Sequence, residues 1–299
     1  MEKTNLRVGV TPEERWLKTS QIRMRYLDWG GPLAGPRQRS ETVVLALHGL
    51  ASSCHWYDLL IPHLVDTYRC IALEQRGHGQ TDHPPTGYDW QTLATDVVEA
   101  LDQLGLERVA VLGHSWGGNV ALSVAAKYPE RVSKLVLIDG GFSDWTLWPG
   151  ATWEWFKNRL RPRDVSGTSE QFLSRLRQQL SECWSEQLEG IVMSMVHIRP
   201  DGMVEDILEP SNHAQVLEAM WYEPPSTIFP LVRCPTLIVA AGPRQSGGNP
   251  EFAQMRRKMA DVAQAAIRDC KVEWIPDTIH DIGYHKPREL ALALRTFLY

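Results

Sequence analysis

The 299-residue chain is 43% hydrophobic and 22% charged with a formal net charge of −5, an ordinary balance for a chain able to bury one large core. With no Lys/Arg block to grip a polyanion, neither nucleic acid nor an acidic membrane face is expected as a partner. No apolar run reaches membrane-spanning length, no apolar leader opens the chain, and five scattered cysteines without C-x-x-C indicate neither a disulfide framework nor a zinc site, so a cytoplasmic location without metal or cofactor is expected.

In chain order, Arg15–Lys18 and Ile22–Asp28 alternate with period two and predict two edge strands, followed by a loop at Gly30–Pro36. Thr42–Leu47 is continuously apolar, as a strand covered on both faces would be, and it ends at His48-Gly49-Leu50-Ala51. A helix is expected near His55–Leu64, a buried strand at Cys70–Leu73, and a loop over Glu74–Thr81. Leu93, Val97, Val98, Leu101 and Leu104 mark one face of a helix at about 90–104. The strand Val109–Leu112 then runs through Gly113-His114-Ser115-Trp116-Gly117 into an alanine-rich helix, and Val132–Ile138 closes at Asp139-Gly140-Gly141.

From about 142 to 228 the period turns helical, at Phe172, Leu173, Leu176 and Leu180 and again at Val216, Leu217, Met220 and Trp221, with no buried strand. This predicts an inserted helical cap over 142–228 on a core built from 1–141 and 229–299. The core resumes with a strand at Cys234–Ala241, a helix at about 250–268, a strand at Val272–Ile275 and a final helix from about 287. Repeated strand–helix units predict an α/β fold with a mostly parallel central sheet flanked by helices.

Ser115 is the chemical centre of this pattern. Glycines two residues either side remove the Cβ atoms that would clash in a sharp strand-to-helix turn, and the helix that follows aims free N–H groups and its positive end at the serine. A phosphate cradle is the weaker reading, because Gly113–Gly118 lacks the Lys of a P-loop.

Four blocks now carry a resemblance: His48-Gly49 after a strand, Arg76-Gly77-His78-Gly79, the Gly113–Gly117 turn, and His280 with Pro287 seven residues on. From about Tyr26 to the C-terminus, interrupted by the insertion, the chain resembles the α/β-hydrolase superfamily, in particular its esterase- and lactonase-like serine hydrolases with a helical cap. The resemblance implies Ser115 as nucleophile and His280 as its base, with His285 a nearby competitor. It implies loop-bracing roles for His48 and His78, and backbone N–H groups of Leu50 and Trp116 as oxyanion donors. Many members place the acid just after the strand that follows the cap, yet Ala241–Pro250 holds no carboxylate and Glu251 is the first. The family's second placement, at the end of the strand after the nucleophile helix, is occupied by Asp139, which is the expected acid; Glu251, Asp281 and Asp144 are the alternatives.

Trp145, Trp148, Trp153, Trp155, Trp184 and Trp221 place half of the 12 tryptophans in the insertion, with Met193 and Met195 beside them. They form either the core of a lid or the wall of a pocket for an apolar or aromatic small molecule. The expected reaction is hydrolysis of an ester or lactone. Dehalogenases and epoxide hydrolases of this fold use Asp at the turn, so Ser115 argues against both. A carbon–carbon bond hydrolase, a cofactor-free haloperoxidase and a non-catalytic ligand receptor remain as alternatives on the same residues.

Overall fold

Side chains alternate across each apolar run, and that alternation assigns the central strands to two cores at once. The computed structural model describes residues 10–32, 42–245 and 248–299. The tail of the expected 30–36 loop and the N-terminal residues 1–9 lie outside the described residues. The strands are β1 (Glu13–Lys18), β2 (Arg23–Asp28), β3 (Val43–Leu47), β4 (Arg69–Leu73), β5 (Val109–His114), β6 (Val132–Ile138), β7 (Val196–Ile198), β8 (Val204–Asp206), β9 (Thr236–Ala241) and β10 (Cys270–Ile275). Eight of them form one sheet in the order β1-β2-β4-β3-β5-β6-β9-β10. β1, β2 and β4 pair antiparallel along one margin, and from β4 onward every neighbour is parallel.

The helices are α1 (Trp90–Gln103), α2 (Trp116–Lys127), α3 (Trp153–Arg159), α4 (Ser169–Gln179), α5 (Glu186–Met193), α6 (Pro210–Tyr222), α7 (Pro250–Ala266), α8 (Ile282–His285) and α9 (Pro287–Leu298). Leu45, Leu47, Val109, Val111, Leu135 and Leu137 face one side of the sheet, where they meet α1, α2 and α7. Val44, Ala46, Ala110, Leu112, Val136 and Ile138 face the other, against Trp56, Tyr57 and α9. α1 forms because Asp89 accepts the N–H groups of Gln91 and Thr92 at its start while Leu93, Val97 and Leu101 supply its buried stripe. None of the helices is long and apolar enough to cross a membrane among the described residues.

Two expectations change. The helix expected near His55–Leu64 is instead a pair of 3₁₀ turns, Cys54–Tyr57 and Ile61–His63. Pro62 explains the break: it has no N–H to return to the carbonyl four residues earlier. The stretch 142–228 holds α3 to α6 but also a short antiparallel hairpin, β7 with β8, where no strand is expected. Three-residue strands are too short to show a period, and Gly202 turns between them with φ +81° while Val196 and Val204 bury against Phe172.

Register then determines where function can sit. His114 is level with Ile138, Ile138 with Val239, and Ala241 with Ile275, so β5, β6, β9 and β10 all end at one sheet edge. Ser115, Asp139 and the loop holding His280 follow those ends directly.

Candidate active site

Ser115 has φ 53° and ψ −124°, a left-handed conformation that a non-glycine residue holds only when its surroundings impose it. Its N–H donates to the Ile138 carbonyl at 2.9 Å, which ties the turn to the neighbouring strand. Two glycines let the backbone close around it. A Cβ at Gly117 would collide with the carbonyl oxygens of Leu47 and His48, and one at Gly140 with the backbone of Ser115 itself.

Asp139 also sits at positive φ, 49°, with its N–H donating to the Val239 carbonyl at 2.8 Å. Its side chain is 3% exposed. Oδ2 accepts from His280 Nδ1 at 2.6 Å, and the other imidazole nitrogen, Nε2, lies 2.9 Å from Ser115 Oγ. With Nδ1–H given to the carboxylate, the lone pair of Nε2 faces the serine hydroxyl. Asp139 Oδ1 accepts the Ala241 N–H at 2.6 Å and is also paired with the guanidinium of Arg256. Burial would raise this carboxyl, but the His280 hydrogen bond and then the Arg256 charge hold it down at about 2.

His280 feels the same pair from the other side. Packing around one side of the half-exposed ring opposes its protonation, yet the hydrogen bond and charge of Asp139 outweigh that and raise its pKa above the ordinary imidazole value. A base must be neutral to accept the serine proton, so kcat/KM is expected to fall as pH drops through a midpoint above 6.5, the unshifted value. A pH–rate profile on a neutral ester checks this; an acid limb centred below 6.5 would contradict the coupling of His280 to Asp139.

The other candidates lie elsewhere. Glu251 is exposed in the first turn of α7. Asp281 accepts the Trp56 indole N–H at 2.8 Å, and Asp144 accepts from Thr146 and Ser226. His285 Nδ1 meets Thr278 Oγ1 at 3.0 Å, and His114 stacks on Trp56 with centroids 3.9 Å apart. None of these contacts His280 through a carboxylate or Ser115 through a base.

Trp116 follows Ser115 directly and Leu50 follows Gly49, where an added Cβ would lie 3.1 Å from that of Ser115; among the described residues neither the Leu50 nor the Trp116 backbone N–H has a hydrogen-bond partner. The loop of Leu50 is braced by two buried histidines, His78 and His48. His78 Nε2 accepts the Ala51 N–H at 3.1 Å while its Nδ1–H donates to the Arg76 carbonyl at 2.8 Å. His48 Nε2 accepts the Gln75 N–H at 3.1 Å and its Nδ1–H donates to Gly49 O at 2.8 Å. Both geometries require neutral rings. Burial supplies that condition, lowering His48 to about 4 and His78 well below its ordinary value.

The tryptophans of 142–228 divide between packing and surface. Trp153 and Trp221 close on buried Phe156 at 6.1 and 5.3 Å, whereas Trp145 faces a cleft of about 1050 Å³ that opens beside Asp139 and His280. Asp139 and His280 line this cleft, whereas Ser115 does not. Among the described residues, no three His, Cys, Asp or Glu side chains converge to hold a metal. Sequence reasoning missed Arg256, whose neighbours Arg257 and Lys258 make the stretch read as a solvated face.

Comparison with known proteins matches residues 42–241 to a family model described as alpha/beta hydrolase fold. Epoxide hydrolase 4 of Homo sapiens is 34% identical over 125 residues, 41% of this chain and 33% of that one. A serine hydrolase-like protein of Danio rerio is 37% identical over 125 residues, 40% of this chain and 37% of the relative. The chain thus spans about a third of the length of these curated relatives. The crystal structure of E-2-(acetamidomethylene)succinate hydrolase superposes with a TM-score of 0.73 at 20% identity, covering 96% of this chain and 99% of that one, a likeness of fold.

Proposed function

Since the chain belongs to the alpha/beta hydrolase fold family, we propose that it is a serine hydrolase that cleaves a carboxylic ester or lactone of an apolar or aromatic small molecule through an acyl-enzyme intermediate. The observation that carries this reading is the continuous hydrogen-bonded line from Ser115 Oγ through His280 to Asp139. Residues 142–228 act in it as the cap. Although relatives are named epoxide hydrolases, the residue at the turn here is a serine, whose attack on a carbonyl needs a base to take its proton, and His280 Nε2 is in reach.

In this mechanism Ser115 Oγ attacks the carbonyl carbon as its proton passes to His280 Nε2. The carbonyl electrons move onto oxygen, which the N–H groups of Leu50 and Trp116 receive. The tetrahedral centre collapses, the leaving oxygen takes the proton from Nε2, and Ser115 remains acylated. Water then attacks the acyl carbon, gives a proton to Nε2, and the released serine recovers it. Asp139 holds the imidazole in one tautomer and stabilises the imidazolium throughout. The five cysteines, which form no disulfide among the described residues, support a reducing, cytoplasmic setting.

A fluorophosphonate probe tests the proposal. The wild-type protein is expected to be labelled once per chain at Ser115 and the Ser115→Ala variant not at all. An unlabelled wild type, or equal labelling of the variant, would favour a ligand receptor on this fold.

A further inference from the structure

The cleft beside His280 is more basic than an apolar substrate requires. Arg159, Arg244, Arg256 and Arg257 all line it, whereas among the described residues Asp139 is the only carboxylate in its wall. Two of the four are already neutralised: Arg256 pairs with Asp139, and Arg244 with Glu182 and Asp277. Among the described residues, Arg159 and Arg257 pair with no carboxylate.

Both are instead laid on rings. The Arg159 guanidinium lies 4.8 Å from the Phe252 ring centroid and 5.5 Å from that of Trp145, and Arg257 lies 5.1 Å from Trp274. Stacking satisfies the flat face of a guanidinium and leaves its edge, the N–H fork that matches a carboxylate, without a partner. Both residues are exposed at the rim of this concave, partly apolar wall, and together they set positive potential there that no acidic side chain answers among the described residues.

The location says which part of a substrate enters. His280 must return its proton to the departing oxygen, so the portion of the substrate on the His280 side of the scissile bond is the leaving group. His280 lines the cleft and Ser115 does not.

We propose that this cleft is an anion subsite in which Arg159 and Arg257 hold a carboxylate on the leaving-group half of the substrate, with Trp145, Phe252 and Trp274 flanking its planar body. The inference rests on the serine-hydrolase reading for its orientation and on the arginines for its chemistry. The preferred substrate is then an acidic aryl or enol ester, apolar in the middle and charged at one end.

The matched pair 4-acetoxybenzoate and methyl 4-acetoxybenzoate tests it, the two differing in one charge on the leaving phenol. The quantity to compare is the ratio of their kcat/KM values in the wild type, Arg159→Gln and Arg257→Gln. Any loss of folded protein cancels within each ratio, and differences in leaving-group reactivity cancel when the ratios are compared between proteins. It is expected to fall about tenfold in each variant, the scale of one charge-assisted hydrogen bond. A ratio unchanged in both variants overturns the subsite while hydrolysis of the methyl ester still upholds the serine-hydrolase reading. Calorimetric binding of 4-hydroxybenzoate to the wild type separates the reverse case, because it needs no turnover. Binding that weakens about tenfold in Arg159→Gln, with neither ester cleaved, would keep the subsite and remove the hydrolase; no binding together with an unchanged ratio removes the subsite.

Discussion

The Asp139→Asn variant is expected to lose roughly 10³ to 10⁴ in kcat, the scale seen when a triad acid becomes an amide. The backbone gives little reason for anything else to change. Asp139 sits at φ 49°, a conformation that asparagine tolerates as well as aspartate does, so the side chain stays in place while its charge disappears. The amide can no longer both fix Nδ1–H and balance an imidazolium. It can instead turn its NH₂ toward Nδ1, which forces the ring proton onto Nε2 and removes the lone pair that faces Ser115. Steady-state turnover of an activated ester, with the fluorophosphonate labelling rate alongside, measures the loss. Turnover within a few-fold of wild type would displace Asp139 from this role and return attention to Glu251.

A second large effect is expected outside the line from Ser115 through His280 to Asp139. Arg76 is 2% exposed and reaches Asp96, 6% exposed, through two hydrogen bonds of 2.7 and 2.8 Å. Burial raises the Asp96 pKa against the arginine's pull, so this carboxylate depends on its partner to stay charged. Arg76→Met should therefore cost about 3–5 kcal/mol in urea unfolding, because it strands a buried acid. The double variant Arg76→Met/Asp96→Leu should recover most of that loss, since an apolar pair of similar volume removes both desolvation penalties. A single variant within about 1 kcal/mol of wild type would show the pair to be dispensable. The link to function runs through the loop: the Arg76 carbonyl accepts from His78, and His78 accepts the N–H of Ala51 beside Leu50.

The parallel sheet was legible because unbroken apolar runs such as Val43–Leu47 and Val109–Leu112 have one economical use, burial on both faces. The turn at Ser115 was legible because close backbone approach needs glycine at particular offsets. What escaped the sequence depends on contacts across long separations. The salt bridge from Arg256 to Asp139 spans 117 positions and leaves no local trace, and basic neighbours disguise it. Pro62 breaks the helix expected near His55–Leu64 through its missing N–H, a local signal that outweighs the apolar residues around it. The β7–β8 hairpin is held by three buried side chains of a small separate core, a quantity that no period reports.

The seam of Gly113, Gly117, Gly118 and Gly140 has a consequence for how charge moves at Ser115. Along it, backbone rests on backbone, with no room for so much as a methyl group. Peptide groups locked in this way have no rotamers to change and no side-chain dipoles to swing round. In the proposed hydrolysis, as negative charge grows on a substrate oxygen and positive charge on the imidazole, the surrounding dipoles are already oriented, and the reorganisation energy that water would demand is largely absent. The glycines thus do more than permit a tight turn: they make the surroundings of the serine a solvent that has frozen in advance of the reaction.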